Sequence, residues 1–140
     1  MEQVRPAVLV IDDDVEFGQL MALVIEDAGC RAIVALDGLH GLGLASEISP
    51  ALILCDCSMP GLCGEDVFRL LQDDPALVDV PRVLMSGYGC PDLRRIPADA
   101  FIAKPINTQS LRRLVRAFTQ PRKGVVADPE RDAGVYAEAG

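Results

Sequence analysis

The feature that most constrains the fold of this chain is a short apolar run that ends in a single carboxylate. Residues 51–55 are apolar, Asp56 follows them, and Pro60 and Gly61 give a turn signal shortly afterwards. A continuous apolar run of this length, bounded by turn residues, is typical of a strand that is buried on both faces. Because burial of an unpaired carboxylate is costly, Asp56 is expected where the strand leaves the core.

Three other runs have the same form, in which a mostly apolar stretch ends in polar or charged residues. They are 7–11 before Asp12, Asp13 and Asp14, 81–85 before Ser86, and 100–103 before Lys104 and Pro105. A further strand is predicted at 31–35. Apolar residues at helical spacing predict helices between the strands and after the last one, at about 15–28, 39–48, 65–72 and 108–118.

The alternation of strands and helices predicts an α/β fold with a doubly wound, five-stranded parallel sheet and helices on both faces. For the strand order 2-1-3-4-5, the winding direction reverses between the first and third strands. The carboxylates after the first strand and Asp56 after the third are therefore expected to meet at the carboxyl edge of the sheet. Helix four, between the fourth and fifth strands, is predicted to be short or irregular, because Pro97 leaves 92–96 room for a turn or two.

The length and charge of the chain limit its organisation and partners. Its 140 residues suggest one domain over 1–119, and 120–140 is predicted to be a flexible tail or linker because proline and glycine interrupt a polar sequence. The net charge of −8 argues against direct binding to nucleic acid or to an anionic membrane. We find neither an apolar run of about 20 residues nor a signal peptide, so a cytoplasmic protein is expected.

The cysteine and histidine content argues against a structural zinc site. The five cysteines include no C-x-x-C pair, and His40 is the single histidine. We interpret the cysteines as reduced, small apolar residues and His40 as a surface residue.

Carboxylates gathered at one edge repel one another, so they require a compensating positive charge. A hard divalent cation such as Mg²⁺ or a lysine supplies it, and Lys104 follows the fifth strand. Ser86 offers a hydroxyl donor at the end of the fourth strand. A carboxylate in these surroundings is a nucleophile suited to phosphoryl transfer, with an aspartyl phosphate as the product.

Over about residues 6–118 the chain resembles the receiver domain of two-component response regulators, which has a flavodoxin-like fold of the chemotaxis-regulator type. The matching pieces are VLVIDDD at 8–14, LCDCSMPG at 54–61 together with Gly64, VLMSG at 83–87, and FIAKP at 101–105. Each piece is weak alone, but all four occur in order and each lies at the end of a predicted strand.

The resemblance implies specific roles for these residues. Asp56 is the phospho-acceptor. The implied metal ligands, for Mg²⁺ or alternatively Mn²⁺, are Asp13, Asp56 and the backbone carbonyl of Ser58, with Asp12 in support. The implied phosphoryl-binding and switch residues are Ser86, Lys104 and Phe101, and the Lys104–Pro105 peptide bond is expected to be cis.

The resemblance also implies a function and partners. A histidine kinase or phosphotransfer protein would phosphorylate the chain, which would then signal to an unidentified protein or relay. It would be a switch rather than an enzyme that turns over a separate substrate. The chain is interpreted as a stand-alone receiver or as a fragment of a larger protein. Dimerisation is left open, because the truncated helix four alters a surface that many family members use for it.

Other interpretations apply to the whole chain and to single residues. A receiver-like interaction module that is not phosphorylated is the main alternative, and a phosphotransferase acting on small substrates is another. Asp14 is better explained as a helix cap, Ser86 could be a turn residue and Phe101 could belong to the core. Cys57 and Cys63 flank the acceptor loop, where a redox influence is a further hypothesis.

Overall fold

The computed structural model describes residues 4–87, 92–119 and 135–137 of the chain. Its elements, in chain order, are β1 (Ala7–Ile11), α1 (Val15–Asp27), β2 (Arg31–Ala35), α2 (Gly38–Ile48), β3 (Leu52–Asp56), α3 (Gly64–Gln72), β4 (Arg82–Ser86), β5 (Ala100–Ala103), α4 (Thr108–Thr119) and β6 (Val135–Ala137). Within these described ranges, no helix is both long enough and apolar enough to cross a membrane.

The first five strands form a parallel sheet in the order β2-β1-β3-β4-β5, which confirms the predicted fold class and strand order. In the register of the two central strands, Ile11 of β1 pairs with Cys55 of β3. The residues that follow them, Asp12 and Asp56, therefore emerge side by side at the carboxyl edge.

A sixth strand extends the sheet at its β5 edge. β6 pairs antiparallel with β5, with Ala100 opposite Ala137 and Ile102 opposite Val135. These three residues lie within the predicted flexible tail, which stays a prediction, and the edge of β5 offers them backbone hydrogen-bonding groups. Residues 120–134 and 138–140 lie outside the described part of the chain, and the boundary of the receiver domain at 119 stays a prediction.

Apolar side chains fill both faces of the sheet. On one face, Met21 and Ile25 of α1 and Leu114 of α4 pack in a cluster with Val8 and Leu54. A second cluster joins residues of β1 and β3 to residues of α2 and α3; its members include Leu9, Ile53, Ala45, Phe68 and Leu71. Strand residues that alternate between the two clusters confirm that the sheet is buried on both faces.

The connection between β4 and β5 departs from the strand–helix alternation of the rest of the fold. In its described part, 92–99, the backbone makes one turn, in which the Arg95 N–H donates to the Asp92 carbonyl at 3.0 Å, and no helix forms. The described residues thus agree with the prediction that the helix between the fourth and fifth strands is short or irregular. That predicted helix is not α4, which follows β5. Residues 88–91, which include Tyr88 and Cys90, lie outside the described part.

A buried arginine at the start of β4 holds the segment that leads into this strand. Arg82 is 2 % exposed, although the sequence analysis placed it in a mostly apolar strand. Its guanidinium group donates hydrogen bonds to four backbone carbonyls. These belong to Leu77 and Val78, both at 2.8 Å, to Val80 at 3.1 Å and to Phe68 at 3.4 Å. One side chain thereby satisfies buried carbonyls of the segment between α3 and β4.

Candidate functional site

A cleft of about 420 Å³ opens at the carboxyl edge of the sheet. Backbone hydrogen bonds continue the strand pairing up to its walls, from Asp12 to Ala35 at 3.0 Å and from Lys104 to Ser86 at 2.8 Å. The residues that line the cleft are Asp12, Asp13, Asp14, Asp56, Ser58, Gly87 and Lys104. Groups from the ends of β1, β3, β4 and β5 therefore share one cleft, although they are far apart in sequence.

Lys104 connects two of the carboxylates. Its Nζ lies 2.9 Å from Oδ2 of Asp12 and 3.2 Å from Oδ1 of Asp56. The ammonium group also lies 4.3 Å from the centre of the Phe17 ring, a cation–π distance. Phe17 belongs to α1, and the apolar spacing that predicts this helix does not indicate the contact.

The charges in the cleft perturb one another because Asp12 and Asp56 are buried, although Asp13 is exposed. Asp56 is 7 % exposed, and this burial raises the pKa of its carboxyl group. Lys104 opposes the rise, whereas Asp12 adds to it. Burial disfavours the charged form of Lys104, but its hydrogen bonds and ion pairs with Asp12 and Asp56 outweigh this effect, so the pKa of Lys104 is raised.

Backbone groups fix the orientation of the aspartates after β1. Asp12 is fully buried, and its Oδ1 accepts a hydrogen bond from the Asp14 N–H at 2.9 Å while Oδ2 faces Lys104. Asp14 caps α1, since its Oδ1 accepts a hydrogen bond from the Phe17 N–H at 3.1 Å. This confirms the interpretation of Asp14 as a cap, and Asp13 is left exposed at the cleft.

The donor atoms in the cleft suit a hard cation. One carboxylate oxygen from each of Asp12, Asp13 and Asp56 lies within 4.8 Å of the others. Such an all-oxygen group is the kind of site that Mg²⁺ prefers, and Mg²⁺ needs few protein ligands because it keeps several waters. Ser58 lines the same cleft. The residues present therefore fit the magnesium site that the sequence predicts.

The predicted switch residues Ser86 and Phe101 are buried and do not line the cleft. Ser86 ends β4, is 5 % exposed and pairs with Ala103 of β5. Phe101 is 1 % exposed and belongs to the core cluster beneath α2 and α3. The peptide bond between Lys104 and Pro105 is cis.

Gly64 allows α3 to begin against the end of β3. A Cβ atom at this position would lie 2.6 Å from the carbonyl oxygen of Asp56, which is closer than a side chain tolerates. The Gly64 N–H donates to the Cys57 carbonyl at 3.2 Å. The short loop after Asp56 is thus held against the strand by a contact that a glycine permits.

The fold and the cleft define a class of protein: a doubly wound α/β domain with a lysine-paired acidic site at the carboxyl edge of its sheet. The family model described as the response regulator receiver domain matches residues 8–116. The chain belongs to this family.

Individual relatives agree with this assignment. The chain is 32 % identical over 128 residues to the DNA-binding response regulator MtrA of Mycobacterium tuberculosis, a match that covers 84 % of this chain and 52 % of that protein. It is 30 % identical over 117 residues to the DNA-binding dual master transcriptional regulator RpaA of Synechocystis sp., covering 81 % of this chain and 48 % of that protein. The chain thus spans about half the length of these curated relatives.

Solved structures show the same fold. The receiver domain of the Francisella response regulator 1452 is 26 % identical, with a TM-score of 0.74 over 82 % of this chain and 97 % of that one. The Vibrio cholerae chemotaxis protein CheY4 is 21 % identical, with a TM-score of 0.77 over 82 % of this chain and 99 % of that one.

Proposed function

We propose that this chain is a phosphorylation-dependent receiver in which Asp56 accepts a phosphoryl group. The observation that carries the proposal is the pairing of a nearly buried carboxylate with Lys104, at 3.2 Å, beside the oxygens of Asp12 and Asp13. An aspartate at the end of a strand, facing a cleft and held between positive and negative groups, has the position that a nucleophile needs.

The residues of the cleft suit an in-line transfer from a phosphohistidine. An Asp56 carboxylate oxygen attacks phosphorus, a P–O bond forms, and the P–N bond breaks as the imidazole leaves and takes up a proton. Asp12, Asp13, Asp56 and the Ser58 carbonyl would hold Mg²⁺, which would supply positive charge against the phosphoryl oxygens. Lys104, which follows β5 at the same edge of the sheet, supplies a second positive charge.

Phosphorylation would change the balance of charge that the cleft holds at rest. A phosphoryl group adds nearly two negative charges and new acceptor oxygens, so Lys104 gains a stronger partner than either carboxylate. The Ser86 hydroxyl, at the end of β4, is the proposed donor to a phosphoryl oxygen. We propose that Phe101 repacks with it, so that a minor conformation becomes favoured.

The proposed phosphodonor is a histidine kinase or a phosphotransfer protein, and the proposed recipient of the signal is another protein. DNA binding is a property of the named relatives, and this chain spans about half of their length. Its net charge of −8 favours protein contacts over direct contact with nucleic acid.

Intact-protein mass spectrometry after incubation with Mg²⁺ and acetyl phosphate tests the proposal. The wild type should gain one phosphoryl group, roughly 80 Da, which treatment with hydroxylamine removes. Asp56→Asn should gain nothing, whereas Asp79→Asn, a matched change at an exposed aspartate outside the cleft, should behave as the wild type. A wild type that gains no mass and does not bind beryllofluoride would support the alternative, an interaction module that is not phosphorylated.

A further inference from the structure

The loop that joins β3 to α3 carries a cysteine at each end. Cys57 follows Asp56 directly, Cys63 is the N-cap of α3, and both are partly exposed. The hydrogen bond from the Gly64 N–H to the Cys57 carbonyl, at 3.2 Å, closes the loop at its base. This contact brings the backbones of the two cysteines together at the base of the loop, and a disulfide bond requires such a close approach.

Both thiols are free. The Cys63 Sγ donates a hydrogen bond to Oδ2 of Asp66 at 3.1 Å. Because a neighbouring carboxylate favours the thiol over the thiolate, the Cys63 sulfur reacts after it rotates away from Asp66.

We propose that Cys57 and Cys63 form a reversible disulfide bond when the chain meets a small disulfide such as oxidised glutathione. The Cys63 thiolate attacks one sulfur of the oxidant, forming a mixed disulfide and expelling one glutathione thiolate, which takes up a proton. The Cys57 thiolate then attacks the Cys63 sulfur and expels the second glutathione. Two protein thiols are oxidised by two electrons, and one glutathione disulfide is reduced to two thiols.

The surroundings of the other described cysteines do not favour the same reaction. Cys55 is fully buried within β3, and burial raises the pKa of its thiol well above the usual value. Cys30 is also fully buried, with its sulfur 3.4 Å from Oγ1 of Thr119. Access limits reaction with an oxidant, and among the described cysteines this partly exposed pair is the accessible one. Cys90 lies outside the described residues, and the experiment removes it by substitution.

The disulfide would constrain the loop beside the acidic cleft. This loop carries Ser58, which lines the cleft, and Met59, which is 9 % exposed and belongs to the core cluster beneath α2 and α3. A covalent bond across its base would restrict the loop next to Asp56. The bond itself depends on the two cysteines and not on phosphorylation, so it is testable separately from the proposed function.

The test uses the full chain with Cys90→Ser, incubated at pH 8 with excess oxidised glutathione and analysed by intact mass and peptide mapping. The expected product has lost about 2 Da, carries one peptide link between Cys57 and Cys63, and is restored by dithiothreitol. Adding Cys57→Ser to this background should instead leave a stable glutathione adduct of about 305 Da on Cys63. If the Cys90→Ser variant does not fold, the wild type is oxidised and mapped in the same way instead.

Three results would overturn the proposal. In the first, both thiols stay free under conditions that oxidise a reference dithiol peptide. In the second, a stable adduct on Cys63 accumulates while Cys57 is present. In the third, the mapped bond joins a different pair of cysteines.

Discussion

The position of Asp56 carries an energetic cost for the folded chain at neutral pH. Burial raises the pKa of its carboxyl group, so the folded state binds this proton more tightly than the unfolded state does. The contribution of Asp56 to the free energy of unfolding therefore falls as the pH rises from the unfolded pKa, near 4, through the raised folded value. Above that range the charged carboxylate is destabilising unless a cation compensates it.

Asp56→Asn should therefore stabilise the chain at pH 7 in the absence of Mg²⁺, because it removes a buried charge while it keeps the side-chain volume. We expect a gain of about 1 kcal/mol, or a few degrees in Tm. The gain should disappear below about pH 4, where the wild-type carboxyl group is protonated in both states. Thermal unfolding followed by circular dichroism at pH 3.5 and pH 7 measures both effects.

The same experiment includes a metal arm. Mg²⁺ at ten times its Kd should stabilise the wild type by about 1.4 kcal/mol and stabilise Asp56→Asn less. Asp79→Asn is the control for a change of net charge. A variant that is less stable than the wild type at pH 7 without Mg²⁺ would contradict the assigned cost of Asp56.

The positive charge of Lys104 partly offsets the energetic cost of the buried Asp56 carboxylate. Substitution of Lys104 should show how far it lowers the pKa of Asp56. In Lys104→Gln the attraction that lowers the pKa of Asp56 is lost, so that pKa should rise further and Asp12 should lose its ion-pair partner. Carboxyl ¹³C NMR titration in metal-free buffer measures the pKa of Asp56 directly. Arg116→Gln, an equal change of charge at an exposed position on α4, should leave it unchanged. An unshifted Asp56 titration in Lys104→Gln would show that the ion pair is not formed in solution.

At the scale of elements, α2 contains two interior glycines with different surroundings. A Cβ atom at Gly41 would lie 2.4 Å from Cδ1 and 2.7 Å from Cγ1 of Ile11, a buried residue of β1, whereas one at Gly43 would meet no atom within 4 Å. Gly41 thus allows α2 to approach the sheet closely, whereas no neighbouring atom restricts a side chain at Gly43.

The two substitutions Gly43→Ala and Gly41→Ala should have opposite effects on stability. Gly43→Ala should raise the free energy of unfolding by about 0.5–1 kcal/mol, because alanine is the better helix former. Gly41→Ala gains the same helix propensity but should lower stability by about 1–3 kcal/mol, since α2 or Ile11 must move. Urea unfolding of the two variants beside the wild type measures the difference. Equal effects at both positions would contradict the close approach of α2 to β1.

Most elements could be predicted from the sequence because their signals are local. Apolar stripes and caps placed four helices close to their observed bounds, and apolar runs placed five strands. β6 was not predicted from the sequence because its pairing depends on the edge of β5, which lies more than thirty positions earlier in the chain. The burial of Arg82 was not predicted either, because its acceptors are backbone carbonyls, and their positions depend on the path of the segment between α3 and β4.

At the scale of the whole molecule, β6 completes the sheet at its β5 edge. Deletion of 135–140 removes this strand, so backbone amides on the outer edge of β5 should exchange with deuterium faster. Amides of the central strands β1 and β3 should keep their protection. Hydrogen exchange with mass spectrometry makes the comparison, and deletion of 138–140 alone is the matched control that keeps β6. Identical exchange of β5 in both deletions would contradict the pairing.

The acidic cleft is a property of the whole molecule that the sequence nevertheless predicted in outline. Parallel strands bring their carboxyl ends to one edge of the sheet. Asp12, Asp56 and Lys104 each lie at the carboxyl end of a predicted strand, so they were expected to lie together. The cation–π contact with Phe17 depends on how α1 rotates against the sheet, and the apolar spacing of α1 does not specify that rotation to the level of one ring.

The guanidinium group of Arg82 has a consequence for how this chain can vary. Because one side chain holds the carbonyls of Leu77, Val78 and Val80, the path of this segment is specified by an arginine that follows it. The side chains of Val78 and of the exposed Asp79 therefore do not have to specify a turn. Among descendants of this sequence, substitutions should accumulate at position 78 for as long as position 82 stays arginine, whereas the negative charge of Asp79, which favours the charged form of Arg82, should be retained more often.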